Sequence, residues 1–176
     1  MSPVLPFEII TVIIDIAGED KDIGLLKELA LVSHSFLQIC SKHIFATVEL
    51  RDYVDVPSDQ FSSSKKGFIK LLISRPDVVR YIRKLTYRVS RAQICRDYDH
   101  LLSSILLHLL PSFSSLNYLA ISASSVNWNN LDTSLTSAFL RLMHLPTINH
   151  IHLSYIGNFP LLSLAPCVNL RLLDII

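Results

Sequence analysis

Apolar side chains in the first fifty residues recur at helical spacing and fall into three short runs. Ile9, Ile10, Ile13, Ile14 and Ala17 follow Pro6, which suits the first helical position because no N–H is needed there, and Gly18 marks a stop. So many β-branched isoleucines form a poor helix alone, so tertiary packing must hold it. Asp20 or Asp22 is placed to cap a second helix, in which Leu25, Leu29 and Val32 make a stripe flanked by Leu26 and Ala30. Ser33 and Ser35 interrupt the pattern. Phe36, Ile39, Cys40, His43 and Ile44 then repeat at i, i+3, i+4, i+7 and i+8, which predicts a third helix. Thr47 to Arg51 reads as a short strand. Asp52 to Ser64 is polar, with Pro57 and the serines Ser62 to Ser64, and reads as a linker. A helix follows with Phe68, Leu71 and Leu72 on one face.

Beyond residue 76 the organisation changes. Four segments share the spacing apolar, two residues, apolar, one residue, apolar: Ile82, Leu85, Tyr87; Leu116, Leu119, Ile121; Ile148, Ile151, Leu153; and Leu170, Leu173, Ile175. Amphipathic helical runs separate the first three. One carries Leu101, Leu102, Ile105, Leu106 and Leu109, the other Leu135, Ala138, Phe139, Leu142 and Met143. Strand and helix at a regular period predict an α/β solenoid, because one such unit cannot bury its own apolar side and stacking completes the core. The alternate strand residues must then face the other way. They form two predicted columns: Lys84, Tyr118, His150, Leu172, and Thr86, Ala120, His152, Asp174. The last unit, Asn169 to Ile176, has no polar capping repeat after it, which fits a truncated array or an exposed edge strand.

Composition narrows the class. Half of the 176 residues are hydrophobic and 18% are charged, which excludes a mostly disordered chain. A formal net charge of +1 gives no global attraction to nucleic acid or an anionic membrane. Cys40, Cys95 and Cys167 are odd in number and far apart, unlike a disulfide framework, and suit a reducing compartment, cytoplasm or nucleus. No apolar run is long enough to span a bilayer, and Pro3, Pro6 and Glu8 argue against a signal peptide.

Leu5-Pro6-Phe7-Glu8-Ile9-Ile10, Ile13-Ile14, Leu25-Leu26 and Ala30-Leu31-Val32-Ser33-His34-Ser35-Phe36 resemble the F-box, in the variants common in large fungal families. The trailing His43-Ile44-Phe45 is similar to the end of that module. The resemblance covers residues 4 to 50. It implies binding of a Skp-type adaptor, and through it a cullin–RING ubiquitin ligase, by Leu5, Pro6, Glu8, Ile9, Ile13, Leu26, Val32, Ser33 and Phe36. Where many F-boxes carry a tryptophan near the third helix, this chain has Phe36 and Phe45. The later segments resemble leucine-rich repeats, without the Asn or Cys that usually follows the strand. The resulting division is an F-box-like unit at 1–50, a connector with one helix at 51–75, and a repeat-like region at 76–176.

The repeat-like region would then select a protein substrate, with Lys84, Tyr118, His150 and His152 as candidate contacts and Tyr118 as anchor, since aromatics dominate binding energies. His150 and His152 share a strand face, but two imidazoles with no Cys or carboxylate beside them are too thin a set for a metal. No nucleophile elbow, paired-cysteine motif, zincin helix or phosphate loop occurs, so no enzymatic role and no cofactor is expected. Cys40 reads as a small core residue. The basic stretch Arg75 to Arg96 could attract phosphate, and reads better as a solvated strand and loop. Neither membrane nor nucleic acid is an expected partner. The rival reading is a repeat scaffold for protein–protein interaction outside any ligase, with a degenerate F-box.

Overall fold

The computed structural model describes residues 6–51, 61–89 and 96–176. Three helices come first: α1 (Phe7–Glu19), α2 (Ile23–Ala30) and α3 (His34–Ile44). Strand β1 (Thr47–Arg51) follows, then β2 (Phe61–Ser64), α4 (Lys65–Ser74), a 3₁₀ turn (Pro76–Tyr81) and β3 (Lys84–Val89). The chain continues through α5 (Arg96–His108), β4 (Tyr118–Asn127), α6 (Thr133–Met143), β5 (His150–Gly157) and β6 (Leu172–Ile175). The protein is thus α/β: three N-terminal helices, then a parallel sheet with interleaved helices. Among the described residues no helix is long and apolar enough to cross a membrane.

The helical unit has its own small core of Ile14, Ala17, Leu26, Cys40 and Ile44. Local chemistry sets its helix starts. Asp22 accepts from the Leu25 N–H at 2.9 Å and Ser33 from the Phe36 N–H at 3.2 Å, each satisfying a donor that a helix start leaves free. Pro6 sits just outside α1 as its cap, one residue earlier than expected. The predicted α2 stripe of Leu25, Leu29 and Val32 is corrected: Leu26 is the fully buried residue, Leu25 is exposed, and Val32 lies beyond the helix end. Gly18 is not a stop. It lies inside α1, where the His43 ring of α3 crosses it and places Nε2 2.7 Å from Asp15 Oδ1. A side chain at Gly18 would overlap that ring. Gly18→Ala should therefore lower stability by about 1–3 kcal/mol, as other overpacking changes do, and His43→Ala in the same chain should restore most of the loss in thermal unfolding.

Among the described residues, six strands form one parallel sheet in the order β2-β1-β3-β4-β5-β6. Ser62 to Ser64, read as linker from sequence, belong to edge strand β2, paired with β1. Positions 52–60 of that linker lie outside the described residues. The main core lies on one sheet face. Val48, Leu50, Leu85, Tyr87, Leu119, Ile121, Ile151 and Leu153 pack there with Phe68 and Leu72 of α4, Leu102 and Leu106 of α5, and Phe139 and Leu142 of α6. Parallel sheets covered on both faces have nearly continuous apolar strands. These strands alternate instead, because helices pack into the core from one side only.

Strand entry repeats a single device. The carbonyls of Ala46, Arg83, Asn117 and Asn149 each accept two consecutive N–H groups from the start of the next strand, at 2.8–3.1 Å. This fixes the register from β1 through β6. The final crossover differs: Leu161–Leu164 is a short 3₁₀ turn where the earlier units place a full helix. His144 Nε2 on the Ser163 carbonyl (2.8 Å) and Asn169 Nδ2 on the Pro146 carbonyl (2.7 Å) tie this segment to the end of α6. With no helix above it, Leu173 stays 38% exposed, although its counterparts Leu85, Leu119 and Ile151 are fully buried.

Candidate functional site

Two surfaces carry the residues singled out by sequence. The first is the outer side of α1. An α-helix advances 100° per residue, so a run of apolar residues longer than one face must leave some outside. Ile10, Ile14 and Ala17 turn into the small core. Ile9, Val12, Ile13 and Ile16 are left exposed at the spacing of one helical stripe, and Phe7 is exposed in the first turn on another side. Leu31 and Val32, in the turn after α2, are exposed by 87% and 66%. Small modules rarely leave so many large apolar groups in water without a partner.

The expected adaptor positions divide accordingly. Pro6, Glu8, Ile9, Ile13, Val32 and Ser33 are exposed. Phe36 is half-buried against the helical core. Leu26 is corrected from contact to support: it is wholly enclosed and touches no solvent. Leu5 lies outside the described residues. Phe7, Val12, Ile16 and Leu31 were missed; Val12 and Ile16 share the stripe of Ile9 and Ile13.

The second surface is the open face of the sheet. Lys84, Tyr118, His150 and Leu172 stand in register across β3 to β6, and Thr86, Ala120, His152 and Asp174 form the next row, as the alternation predicts. Strand β1 extends both rows with Thr47 and Glu49. The Lys84 ammonium lies 5.7 Å from the Tyr118 ring centre, and Tyr118 meets His150 edge-on at 4.6 Å. Burial pushes the Tyr118 phenol up, and the charge of Asp174 adds to that.

The expectation that no carboxylate neighbours the two imidazoles is corrected. Asp174 Oδ2 lies 2.9 Å from His150 Nε2 and 3.6 Å from His152 Nδ1, and hydrogen bonding to His150 above all holds its carboxyl below the usual range. The signal was present in the predicted row that places Asp174 beside His152. Among the described residues no group of three His, Cys, Asp or Glu side chains is arranged to hold a metal ion.

At the β1 end of the same face, Glu49 is almost fully enclosed. Arg51 donates to both its oxygens at 2.9 and 3.0 Å, and Arg88 reaches it from β3. Burial alone would raise the Glu49 carboxyl, but these two guanidiniums outweigh it and hold the carboxyl low. A depressed folded value means that Glu49 contributes stability above its unfolded value, near 4.3, and that this is lost as pH falls through the folded value. Between pH 6 and pH 3, thermal midpoints of the wild type should therefore fall more steeply below pH 4 than those of Glu49→Gln.

Among the described residues, two of the basic stretch, Arg75 and Arg88, form ion pairs with carboxylates, while Arg83 and Lys84 are exposed. Arg75 makes a two-point contact with Asp77 at 2.9 Å, and Arg80 donates to the Tyr81 hydroxyl at 2.7 Å. Arg91 lies outside the described residues, as does Cys95. Cys40 is buried among the helices, and burial raises its thiol. No family model, curated protein or solved structure matches the chain.

Proposed function

We propose that this chain is a substrate-recognition adaptor of a Skp–cullin–F-box ubiquitin ligase. In this reading α1 to α3 are an F-box-like unit that docks a Skp-type adaptor, and the sheet is a short leucine-rich-repeat-like solenoid whose open face holds a target protein. The observation that carries it is the outward apolar stripe of α1, Ile9, Val12, Ile13 and Ile16, accompanied by exposed Val32. These side chains cost free energy in water and gain about 25 cal/mol per Å² when a partner covers them. The repeating strand-entry device at Ala46, Arg83, Asn117 and Asn149 supports the solenoid reading.

The chain itself performs no chemistry in this scheme. Binding a target close to a ligase raises the local concentration of the reacting groups, and the covalent steps occur on other subunits. The working compartment is the cytoplasm, the nucleus or both. Phe36 and Phe45, in place of the tryptophan many F-boxes carry, favour a second reading, a protein–protein scaffold whose helical unit no longer docks an adaptor. Co-expression with a Skp-type adaptor, followed by size-exclusion chromatography, separates the two. A one-to-one complex supports the ligase role, and separate elution of the two proteins supports the scaffold.

A further inference from the structure

We propose that the open sheet face takes an extended acidic segment of its target, one that aligns carboxylates with Lys84 and Arg88. This deepens the target-binding reading above and rests on it. The argument is charge complementarity. Among the described residues, the charged side chains on the β1, β3 and β4 part of the face are Arg51, Lys84 and Arg88 against Glu49. Glu49 is enclosed by Arg51 and Arg88, so its charge is already answered inside the face. Lys84 is exposed and Arg88 is 56% exposed, so positive charge is what this region presents to water. The other carboxylate of the face, Asp174, lies across β4 and β5 and is held by His150 and His152.

The spacing is specific. Lys84 and Arg88 stand four residues apart on one side of β3, about 13 Å at the usual strand rise. A segment running along β3 in extended form would match them with acidic side chains at i and i+4. Between them lie Thr86 and buried Ala120, and Ser122 stands beside Arg88, all short side chains that let a backbone approach. Tyr118 flanks the Lys84 end and offers an aromatic face for an apolar neighbour of the first acid.

The test uses the full chain and a fluorescent twelve-residue peptide of Ser, Thr and Val with Glu at i and i+4, read by anisotropy. Its Gln counterpart and a thymidine oligonucleotide of equal length serve as comparisons. The acidic peptide should bind about tenfold more tightly than the Gln peptide, lose that margin as salt rises, and lose it in Lys84→Gln/Arg88→Gln. Lys84→Gln alone, at an exposed position, gives the same direction should the double variant fold poorly. Equal binding of the Glu and Gln peptides, or tighter binding of the oligonucleotide, overturns the proposal. A randomised peptide array distinguishes the two levels. Capture that Tyr118→Ala abolishes, with no preference for Asp or Glu, sinks the acidic class and leaves the target face standing. Array capture that never depends on Tyr118, together with no binding of the acidic peptide, removes the target face itself.

Discussion

Ile13→Asp and Val32→Asp should each reduce capture of a Skp-type adaptor by more than about 100-fold while leaving the fold intact. Docking would enclose the new carboxylate without a partner charge, which costs about 3–5 kcal/mol. In the free chain the same carboxylate stays in water, because Ile13 is 46% and Val32 66% exposed. Surface changes of this kind usually shift stability by no more than about 0.5 kcal/mol. The contrast with Leu26 sharpens the test. Leu26→Asp puts a charge into the helical core, so it should abolish capture by unfolding the unit, visible as lost helical signal in circular dichroism. Loss of capture in the first two variants with helical signal retained supports docking through the α1 side. Capture unchanged in both would remove the F-box assignment.

The register of the sheet was legible because strand side chains alternate with period two. Once Leu85, Leu119 and Ile151 are inward, Lys84, Tyr118 and His150 must share the opposite face. The helix starts were legible because Asp22 and Ser33 are the residue types that accept from free N–H groups. Strand β2 was not legible. Its three serines carry no apolar alternation, and only backbone pairing with β1 makes them a strand. Nor does helical spacing alone say which of Ile9, Ile10, Ile13 and Ile14 turn inward. That choice is made by α2 and α3, which meet α1 over Ile14 and Ala17 and leave Ile9 and Ile13 outside. Leu26 turned from surface contact to core for the same reason. The site contacts that escaped notice are long-range: Asp174 reaches His150 across 24 residues, and Glu49 is answered by Arg88 from the neighbouring strand.

The least legible contact also carries the greatest expected loss of stability. Lys65, the first residue of α4, is almost fully buried, and its ammonium lies 2.5 Å from Asp99 Oδ1 on α5. The Tyr87 hydroxyl donates to the same oxygen at 3.0 Å, and the Lys65 ammonium sits 4.8 Å from the Tyr87 ring centre. Bringing these charges out of water is costly, and their attraction offsets that cost only while both are present. Asp99→Ala should therefore destabilise the sheet-and-helix body by about 3–5 kcal/mol, a midpoint drop of roughly 10 °C for a chain of this size. Tyr87→Phe removes the hydroxyl's hydrogen bond to Asp99 while both charges stay, and should cost only about 1 kcal/mol. Lys65→Met with Asp99→Leu removes both charges and keeps the volume, so it should recover most of the loss. Chemical denaturation of the three variants checks the order. An Asp99→Ala loss no larger than that of Tyr87→Phe would mean the pair is hydrated in solution and does not anchor α4 to α5.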